Sequence, residues 1–531
     1  MLLDASDPPN GQRLRADLCI VGAGPAGICL ARELAGGGAS VCLLEAGGRT
    51  VERRAQRQNR GQSVGYPIHL LDRSRVRAFG GSSRHWPPDE GMAARPLDPI
   101  DFEAREGMPW SGWPFDRAHL EPWYARAQTA CQLGPFDYDP EGWGDPAAAP
   151  PPALPGAEVE TTVFQHGATS FEGCLEELAG AANVTVVLHA RVVELAAGED
   201  PARVDRVEVA RDDGSRLWVL PRMVVLAAGG IENPRLLLWS GRDRRGGLGN
   251  GADLVGRCFA ERLSARTGYV ADASPALVRQ AAFYDVHPAR GTRVQGALRL
   301  ADAVQRRHQL LNCAFFLLPR PAAMTSEAVR SLATLVKGRV RRPLPPGFGG
   351  HVRNLAAGLP DLVALAASRL RQPAGAGVLV LRAQAEQAPN PDSRVTLGSR
   401  RDDLGLPVAR VDWRIDQADR ASIRASQAVL DAALAAAGLG RVAFPLGDED
   451  PPALFEGNFH HLGTTRMHAD PARGVVDADC RVHGVANLYV AGSSVFPTFG
   501  CSNPTLTLVA LALRLADHLK GRLAGPGPGA G

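Results

Sequence analysis

The chain has 531 residues, of which 45% are hydrophobic and 22% charged, and its formal net charge is +3. These values are typical of a globular protein and argue against fibrous, disordered and membrane-spanning classes. The length allows two or three domains, or one large two-lobed enzyme with a sizeable core.

Neither the charge nor the cysteine content indicates a nucleic-acid-binding or secreted protein. The basic residues are almost all arginine, as in proteins from GC-rich genomes, and we do not interpret them as a nucleic-acid-binding surface. The nine cysteines are odd in number and include no Cys-x-x-Cys pair, which favours reduced thiols. The sequence shows neither a signal-peptide pattern nor an apolar run of about 18 residues. We therefore expect a cytoplasmic location and no transmembrane segment.

The first predicted element is a strand, turn and helix typical of dinucleotide binding. The apolar run Asp17–Val21 leads into Gly22-Ala23-Gly24-Pro25-Ala26-Gly27, and a helical stretch follows over Ile28–Leu34. The first glycine allows a tight turn, the second lets the backbone approach a pyrophosphate, and the third lets helix and strand pack closely. The context on both sides of the glycines favours a dinucleotide site over a chance glycine-rich turn.

The second predicted strand ends in an acidic residue at a suitable distance. Ser40–Leu44 is followed by Glu45 and Ala46, about twenty residues beyond the glycines, where a carboxylate accepts the ribose hydroxyls of an adenosine. The fingerprint alone does not separate NAD from FAD.

Later segments of the chain help to decide between NAD and FAD. Residues 78–86 read Ala-Phe-Gly-Gly-Ser-Ser-Arg-His-Trp, and Val224–Leu238 reads as a buried strand, a glycine turn and a helix. Near the C-terminus, His460-His461-Leu462-Gly463-Thr464-Thr465-Arg466-Met467 is followed by Asn487–Ser494 and then by Gly500–Thr507. These segments, in this order, resemble the glucose-methanol-choline (GMC) oxidoreductases, FAD enzymes that act mostly on alcohols. The His-Trp ending of the first segment is most similar to the sugar-oxidising branch, which includes pyranose oxidase and bacterial sugar dehydrogenases.

The resemblance implies an FAD cofactor and places its binding residues along the whole chain. The cofactor-binding positions that it indicates are Gly22, Gly24, Ala26, Gly27, Glu45, Ala46, Gly81, Ser82, His85, Val192, Ala228, Gly492, Ser493, Asn503, Pro504 and Thr505. An ordinary buried-strand role for Val192 stays open.

The family organisation implies an α/β fold whose domains interleave along the sequence. A Rossmann-type FAD-binding domain is expected over residues 12–110, 165–271 and 456–523. An α+β substrate domain built on an antiparallel sheet is expected over residues 111–164 and 272–455. Residues 524–531, rich in glycine and proline, are expected to form a disordered tail.

The substrate domain carries its own periodic signals. Alternation in Ser393–Leu397 and Val408–Trp413 predicts antiparallel strands, and Asp416 is placed to cap a helix that ends at Gly438. A basic helical insertion is predicted near residues 326–372. This segment is expected to be either a solvated insertion or a contact surface for an oligomer, a redox partner or a membrane.

His460 is the predicted catalytic base. Alcohol oxidation requires the hydroxyl proton to leave as hydride moves from carbon to flavin N5, and a side chain that titrates near neutrality suits that task. In the family the base is the histidine of a His-x-x-Gly-Thr pattern, which selects His460. His461 is predicted to face away, on the assumption that the pair lies in a strand.

The second catalytic position of the family is Asn503. An amide is no base, but it can donate a hydrogen bond that orients the hydroxyl toward His460. Pro504 and Thr505 are expected at the pyrimidine end of the flavin, where a helix N-terminus stabilises negative charge.

His85 occupies the position that carries a covalent flavin bond in part of the family. Similar dehydrogenases hold FAD there without a bond, so both possibilities stay open and the non-covalent one is favoured. We predict no metal site. The dipeptide Glu261-Arg262 departs from the acidic-His pair that the family often has, which puts a flavin or substrate contact there in doubt.

The leading prediction is an FAD-dependent alcohol dehydrogenase or oxidase that acts on a sugar, glycoside or sugar-like metabolite. The electron acceptor is dioxygen, quinone or a redox partner, and oligomerisation stays open. Two alternatives are an FAD-containing lyase or decarboxylase on the same scaffold and an NAD-dependent dehydrogenase, which would be colourless.

Overall fold

The computed structural model describes residues 1–66, 68–87, 90–143, 154–168, 170–211, 213–241, 246–320, 332, 348–360, 362, 378–443 and 455–524. The described strands are β1 Leu2–Asp4, β2 Arg13–Val21, β3 Val41–Leu44, β4 Gln62–Gly65, β5 Ala93–Ala94, β6 Val159–His166, β7 Val184–Leu188, β8 Arg191–Ala197, β9 Val204–Ala210, β10 Arg216–Leu226, β11 Leu263–Ala271, β12 His287–Ala289, β13 Thr292–Leu300, β14 Cys313–Arg320, β15 Val378–Ala385, β16 Arg394–Arg401, β17 Pro407–Trp413, β18 Arg441–Ala443 and β19 Leu488–Val490. The described α-helices are α1 Pro25–Leu34, α2 Arg53–Arg57, α3 Pro99–Phe102, α4 Arg117–Ala130, α5 Leu175–Gly180, α6 Gly229–Trp239, α7 Pro275–Gln280, α8 Asp302–His308, α9 Phe348–Ala357, α10 Gln417–Ala436 and α11 Thr505–Ala524.

The first sheet is a Rossmann-type sheet with the strand order β1-β7-β3-β2-β10-β9-β8. Strands β1, β7, β3, β2 and β10 run parallel, while β9 pairs antiparallel with both β10 and β8. The late strand β19 pairs with β10 in parallel, with Val224 opposite Leu488. The interleaved FAD-binding fold predicted from the sequence is therefore confirmed.

The second sheet is antiparallel and lies on the substrate side, with the order β18-β11-β15-β14-β13-β6-β5 and β12 paired to β13. One face packs on α10, through residues such as Phe315 and Leu430. On the other face Phe164, Phe316 and Val380 form a separate apolar cluster with Cys501. The loop that leads into α11 thus contacts this second face.

Two features of the sheets differ from the predicted domain organisation. Strand β11 belongs to the antiparallel sheet through pairing with β15 and β18, although the predicted boundary at residue 271 assigns it to the FAD-binding segments. The predicted strands around Val395 and Val411 form and pair antiparallel, but they join β4 in a third sheet of three strands. The domain bounds themselves stay a prediction.

The predicted helix after Asp416 is confirmed as α10. Asp416 and Asp419 form a reciprocal capping box at its start, which satisfies backbone N–H groups that the first turn leaves unpaired. Most of the predicted insertion at 326–372 lies outside the described residues, apart from α9 and a few neighbouring positions, and so does the tail from residue 525. Among the described helices, none combines the length and apolar character needed to cross a membrane.

Candidate active site

A cavity of about 320 Å³ opens at the carboxyl ends of the parallel strands. Its lining contains every predicted cofactor position except Gly27 and Asn503. Crevices at this edge of a parallel sheet are the usual ligand sites of doubly wound folds. The structure therefore brings residues from the two ends of the chain to one place.

The glycine turn leaves room for a phosphate group. Gly22 adopts φ +107°, and a Cβ there would lie 2.7 Å from the Ala227 carbonyl oxygen. A Cβ on Gly24 would meet no heavy atom within 4 Å, so this residue exposes its backbone to the cavity at the start of α1. Gly27 instead packs directly against the Gly22 carbonyl, which explains why it does not line the cavity. The arrangement fits a pyrophosphate at a helix N-terminus.

The carboxylate of Glu45 lies buried at the adenosine end. Its Oε2 accepts a hydrogen bond from the Ala23 N–H at 3.0 Å, and its Oε1 accepts one from the Gly47 N–H at 2.9 Å. Burial raises the pKa of Glu45, and these two N–H groups partly offset the rise. A carboxylate has about four acceptor positions, so it retains capacity for ribose hydroxyls. The residues present thus fit an FAD molecule at this end.

A charged cluster that the sequence did not reveal borders the cavity. Glu232, at the start of α6, lies 3.2 Å from Arg75 Nη1, 3.1 Å from Arg77 Nη2 and 2.6 Å from Arg235 Nη1. Burial alone would raise the pKa of Glu232, but the three guanidinium groups outweigh burial and lower it. The cluster connects residues 75–77 to α6, and no local pattern signals this connection because Arg75 and Glu232 are 157 residues apart.

The end of the cavity where the flavin is predicted to bind is formed by residues 81–86 and the start of α11. Gly81 begins a 3₁₀ helix that ends at His85, and a Cβ on Gly81 would lie 2.8 Å from the Gly24 Cα atom. The His85 ring lies 5.4 Å from the Phe459 ring, between centroids. Partial burial lowers the pKa of His85 and favours its neutral form. Pro504 and Thr505 line the cavity where α11 begins.

His460 lies in a loop and not in a strand, so the predicted strand over His460-His461 is wrong. Phe459 before it adopts φ +62°, which breaks the extended backbone. Glu261 Oε2 accepts hydrogen bonds from the N–H groups of Asn458 at 3.0 Å and His460 at 2.9 Å. This buried carboxylate fixes the loop.

His460 lines the cavity, and its ring contacts a guanidinium group. Arg262 Nε donates a hydrogen bond to His460 Nδ1 over 3.3 Å. Burial, together with the charge of Arg262, lowers the pKa of His460 well below its ordinary value, so the ring is neutral at physiological pH. While this bond is made, Nδ1 holds the lone pair and the ring proton resides on Nε2.

His461 also lines the cavity, so the prediction that it faces away is wrong as well. Its Nε2 lies 3.2 Å from Glu261 Oε1 without hydrogen-bond alignment, and its ring stacks on Phe259 at 6.0 Å between centroids. Burial, with Arg75 and two neighbouring histidines, lowers the pKa of His461 to about 3. Burial raises the pKa of Glu261 to about 7.

The Asn503 side chain is not brought to the cavity lining. Its Nδ2 donates a hydrogen bond to the Ala93 carbonyl oxygen at 2.6 Å, while its Oδ1 is buried without a partner. One of its two amide N–H bonds is therefore committed to the edge of the second sheet. The orienting role predicted for Asn503 depends on the remaining N–H.

Sequence reasoning assigned no role to Glu261 and Arg262, which hold the backbone and the ring of His460. The one available signal was their departure from the family's acidic-His pair. Phe459, 37% exposed, also lies at the cavity mouth against His69 and His85 and was not anticipated. In the described part of the chain, no group of His, Cys, Asp and Glu side chains is arranged to hold a metal ion.

Two family models match the chain. The model described as GMC oxidoreductase matches residues 389–512, and the model described as FAD dependent oxidoreductase matches residues 17–245. The first match contains His460 and Asn503, and the second contains the glycine turn and Glu45.

Similar proteins extend the match over the whole chain. The 6'''-hydroxyparomomycin C oxidase of Streptomyces lividus is 25% identical over 98% of this chain and 94% of its own length. The large subunit of fructose dehydrogenase from Gluconobacter japonicus is 25% identical over 96% of this chain and 98% of its own length.

A solved structure supports the same fold. A formate oxidase variant from Aspergillus oryzae superposes with a TM-score of 0.54 at 17% identity and covers 97% of this chain and 99% of its own. This likeness concerns the fold alone. By sequence, the chain is similar to GMC oxidoreductases over residues 389–512 and to FAD-dependent oxidoreductases over residues 17–245, and its full-length relatives are named as an oxidase and a dehydrogenase.

Proposed function

We propose that this protein oxidises an alcohol group on a sugar, glycoside or sugar-like metabolite, with His460 as the general base. The observation that carries the proposal is that His460 lines the cofactor cavity and has a neutral imidazole whose Nδ1 is a hydrogen-bond acceptor. The names of the full-length relatives, an oxidase of a hydroxyparomomycin and a fructose dehydrogenase, support the substrate class.

The chemistry divides between the cofactor and the protein. Bound FAD supplies the acceptor for the hydride that leaves the substrate carbon. His460 takes the hydroxyl proton, since an alkoxide expels hydride far more readily than a neutral alcohol. For this the substrate hydroxyl replaces Arg262 Nε as the donor to Nδ1, an exchange that the long 3.3 Å hydrogen bond favours. The product is a carbonyl compound.

The neighbouring residues prepare this proton transfer. Glu261 holds the His460 backbone, and the low pKa of His460 keeps a proton acceptor available at neutral pH. In our proposal Asn503 orients the hydroxyl with its second amide N–H, and the start of α11 stabilises negative charge on the reduced cofactor. Cytoplasmic location, like the electron acceptor, stays a prediction.

The test is anaerobic reduction of the purified holoenzyme by a panel of sugars and glycosides, followed by air and then by a quinone. We expect at least one alcohol to bleach the flavin absorbance, and reoxidation to identify the acceptor. A yellow enzyme that no alcohol bleaches would favour a lyase or decarboxylase.

The link between the protein and the flavin is tested on the same preparation. Acid precipitation should leave the flavin in the supernatant, as expected for non-covalent FAD. Colour that stays with the pellet, and is lost in His85→Ala, would establish the covalent bond instead.

A further inference from the structure

Arg262 is a buried cation that contacts the ring of His460, a residue of the cavity lining, and is not itself among the lining residues. Only 3% of its surface is exposed, and it precedes β11 directly. Its Nε donates to His460 Nδ1, and its electrostatic neighbours include Cys501, two residues before Asn503 in the loop. The guanidinium therefore lies between the two segments that carry the candidate catalytic residues.

Among the described residues, the guanidinium of Arg262 forms no ion pair, and Glu261 acts on it only as a more distant charge. Its Nη1 is enclosed without a hydrogen bond to any of them. Other buried arginines of the same region are paired: Arg95 with Asp98 at 2.7 Å and Arg105 with Glu386 at 2.6 Å. Glu261, next in sequence, directs its carboxylate to the loop N–H groups instead.

A second guanidinium adds to the positive charge. Arg382 on β15 stands near Arg262, above the Phe316 ring at 5.2 Å from its centroid. Burial and the charge of Arg382 together lower the pKa of Arg262 to about 9, against smaller opposing contributions from Cys501 and Glu261. Buried charges in proteins are usually paired, because an unpaired one costs several kcal/mol of desolvation.

An unpaired cation is also unfavourable for the proposed reaction. A base that accepts a proton becomes an imidazolium, which a carboxylate or carbonyl neighbour stabilises and a guanidinium destabilises. If Arg262 only held the His460 ring in place, its charge would therefore oppose the proton transfer. A ligand that neutralises Arg262 removes this opposition.

We infer that the substrate carries an oxyanion, such as a carboxylate, close to the hydroxyl that is oxidised, and that Arg262 binds this group. The inference rests on the proposed function and names the substrate class of the same site as an acidic alcohol, for example a uronic acid derivative. Pairing with the oxyanion draws the guanidinium from His460 Nδ1 and leaves that lone pair to the hydroxyl. Arginine suits the task because its planar fork matches a carboxylate.

The first test measures binding without turnover. Acetate and acetamide have nearly the same shape and differ in charge, and each is titrated into the oxidised holoenzyme while the flavin absorbance is recorded. We expect acetate to bind at least about tenfold more tightly than acetamide, which corresponds to ~1.4 kcal/mol. Equal affinity for the two probes would overturn the inference.

Three variants assign this preference to Arg262. Arg262→Gln keeps an N–H donor for His460 but removes the charge, and should lose the preference for acetate while it retains FAD. Arg262→Lys should keep part of the preference for acetate over acetamide. Arg15→Gln, an exposed arginine near the far end of β2, should behave as the wild type. A preference for acetate that persists in Arg262→Gln would contradict the assignment.

A second test uses the reaction itself. Methyl glucoside and methyl glucuronide share one ring and differ by the carboxylate, and anaerobic flavin reduction by each is compared. We expect the glucuronide to reach its half-maximal rate of flavin reduction at a concentration at least about tenfold lower than the glucoside. Arg262→Gln should abolish this difference. If no alcohol reduces the flavin, the proposed function fails, and the acetate titration still decides whether Arg262 is an anion site.

Discussion

The two ends of the cavity are built in different ways. At the dinucleotide end, consecutive backbone groups of residues 22–27 and the carboxylate of Glu45 create the site, and the spacing of these residues along the chain determines it. At the catalytic end, side chains from Glu261-Arg262, the loop before Leu462 and the loop before α11 meet from distant parts of the sequence.

This difference has a consequence for mutagenesis. Changes at the dinucleotide end should act on FAD affinity or on folding, according to whether the added atoms point into the cavity or into the protein. Changes at the proposed catalytic residues, His460 and Asn503, should act on flavin reduction while FAD remains bound. Each of the following experiments tests whether the two ends separate in this way.

The largest effect is expected for His460→Ala. Loss of the general base should slow flavin reduction by roughly 10²- to 10⁴-fold, while FAD stays bound. Stopped-flow reduction with a deuterated alcohol measures the step directly. His461→Ala is the control, and we expect it to alter stability or flavin binding and not the chemical step. Abolished reduction in His461→Ala, with an intact rate in His460→Ala, would require the base to be reassigned.

A smaller loss is expected for Asn503→Ala. One amide N–H already binds Ala93, so the variant removes both a structural tie and the proposed contact with the hydroxyl. We expect reduction to slow by about 10- to 100-fold, the effect of one neutral hydrogen bond of a few kcal/mol. An unchanged reduction rate with a lowered unfolding temperature would show that Asn503 is only structural.

The dinucleotide end offers a matched pair of glycines. A Cβ on Gly24 meets no protein atom within 4 Å, whereas a Cβ on Gly27 collides with the Gly22 carbonyl. Gly24→Ala should weaken FAD binding by about tenfold, ~1.4 kcal/mol, and leave the apoprotein as stable as the wild type. Gly27→Ala should lower the unfolding temperature of the apoprotein itself. Equal stability losses in both variants would contradict the proposed placement of the pyrophosphate.

The smallest effect concerns Glu261, whose pKa burial raises from 4.5 to about 7. Between these values the folded state holds a proton that the unfolded state has lost, so Glu261 makes the protein less stable as the pH rises through this range. Glu261→Gln removes that dependence. The unfolding temperature of the variant relative to the wild type should therefore rise by about 2–4 °C from pH 4.5 to 7 and stay constant above. A difference that is constant from pH 4.5 to 7 would indicate an ordinary pKa.

Much of the fold and of the cofactor site could be predicted because the signals are local. The glycine turn with Glu45 and the capped helix α10 depend on residues close in sequence, and the structure confirms the Rossmann-type sheet and that helix. The family pattern added the late strand β19, which no local signal would have placed beside β10.

The strand predicted over His460-His461 failed for a physical reason. Alternation describes an extended chain, but the left-handed φ of Phe459 and the carboxylate of Glu261 shape this segment into a loop. A contact with a residue almost 200 positions earlier in the sequence leaves no periodic signature.

The sequence by itself indicated a dinucleotide cofactor and the glycine turn predicted to bind its phosphates, since both depend on spacing along a few dozen residues. Only the tertiary structure decided which groups surround His460. Arg262 contacts that ring across 198 positions, and the lack of an ion pair between Arg262 and any described carboxylate becomes visible only when β11 and the catalytic loop pack together. Burial then turns an ordinary arginine into a charge that requires a partner, because desolvation is costly where water is excluded.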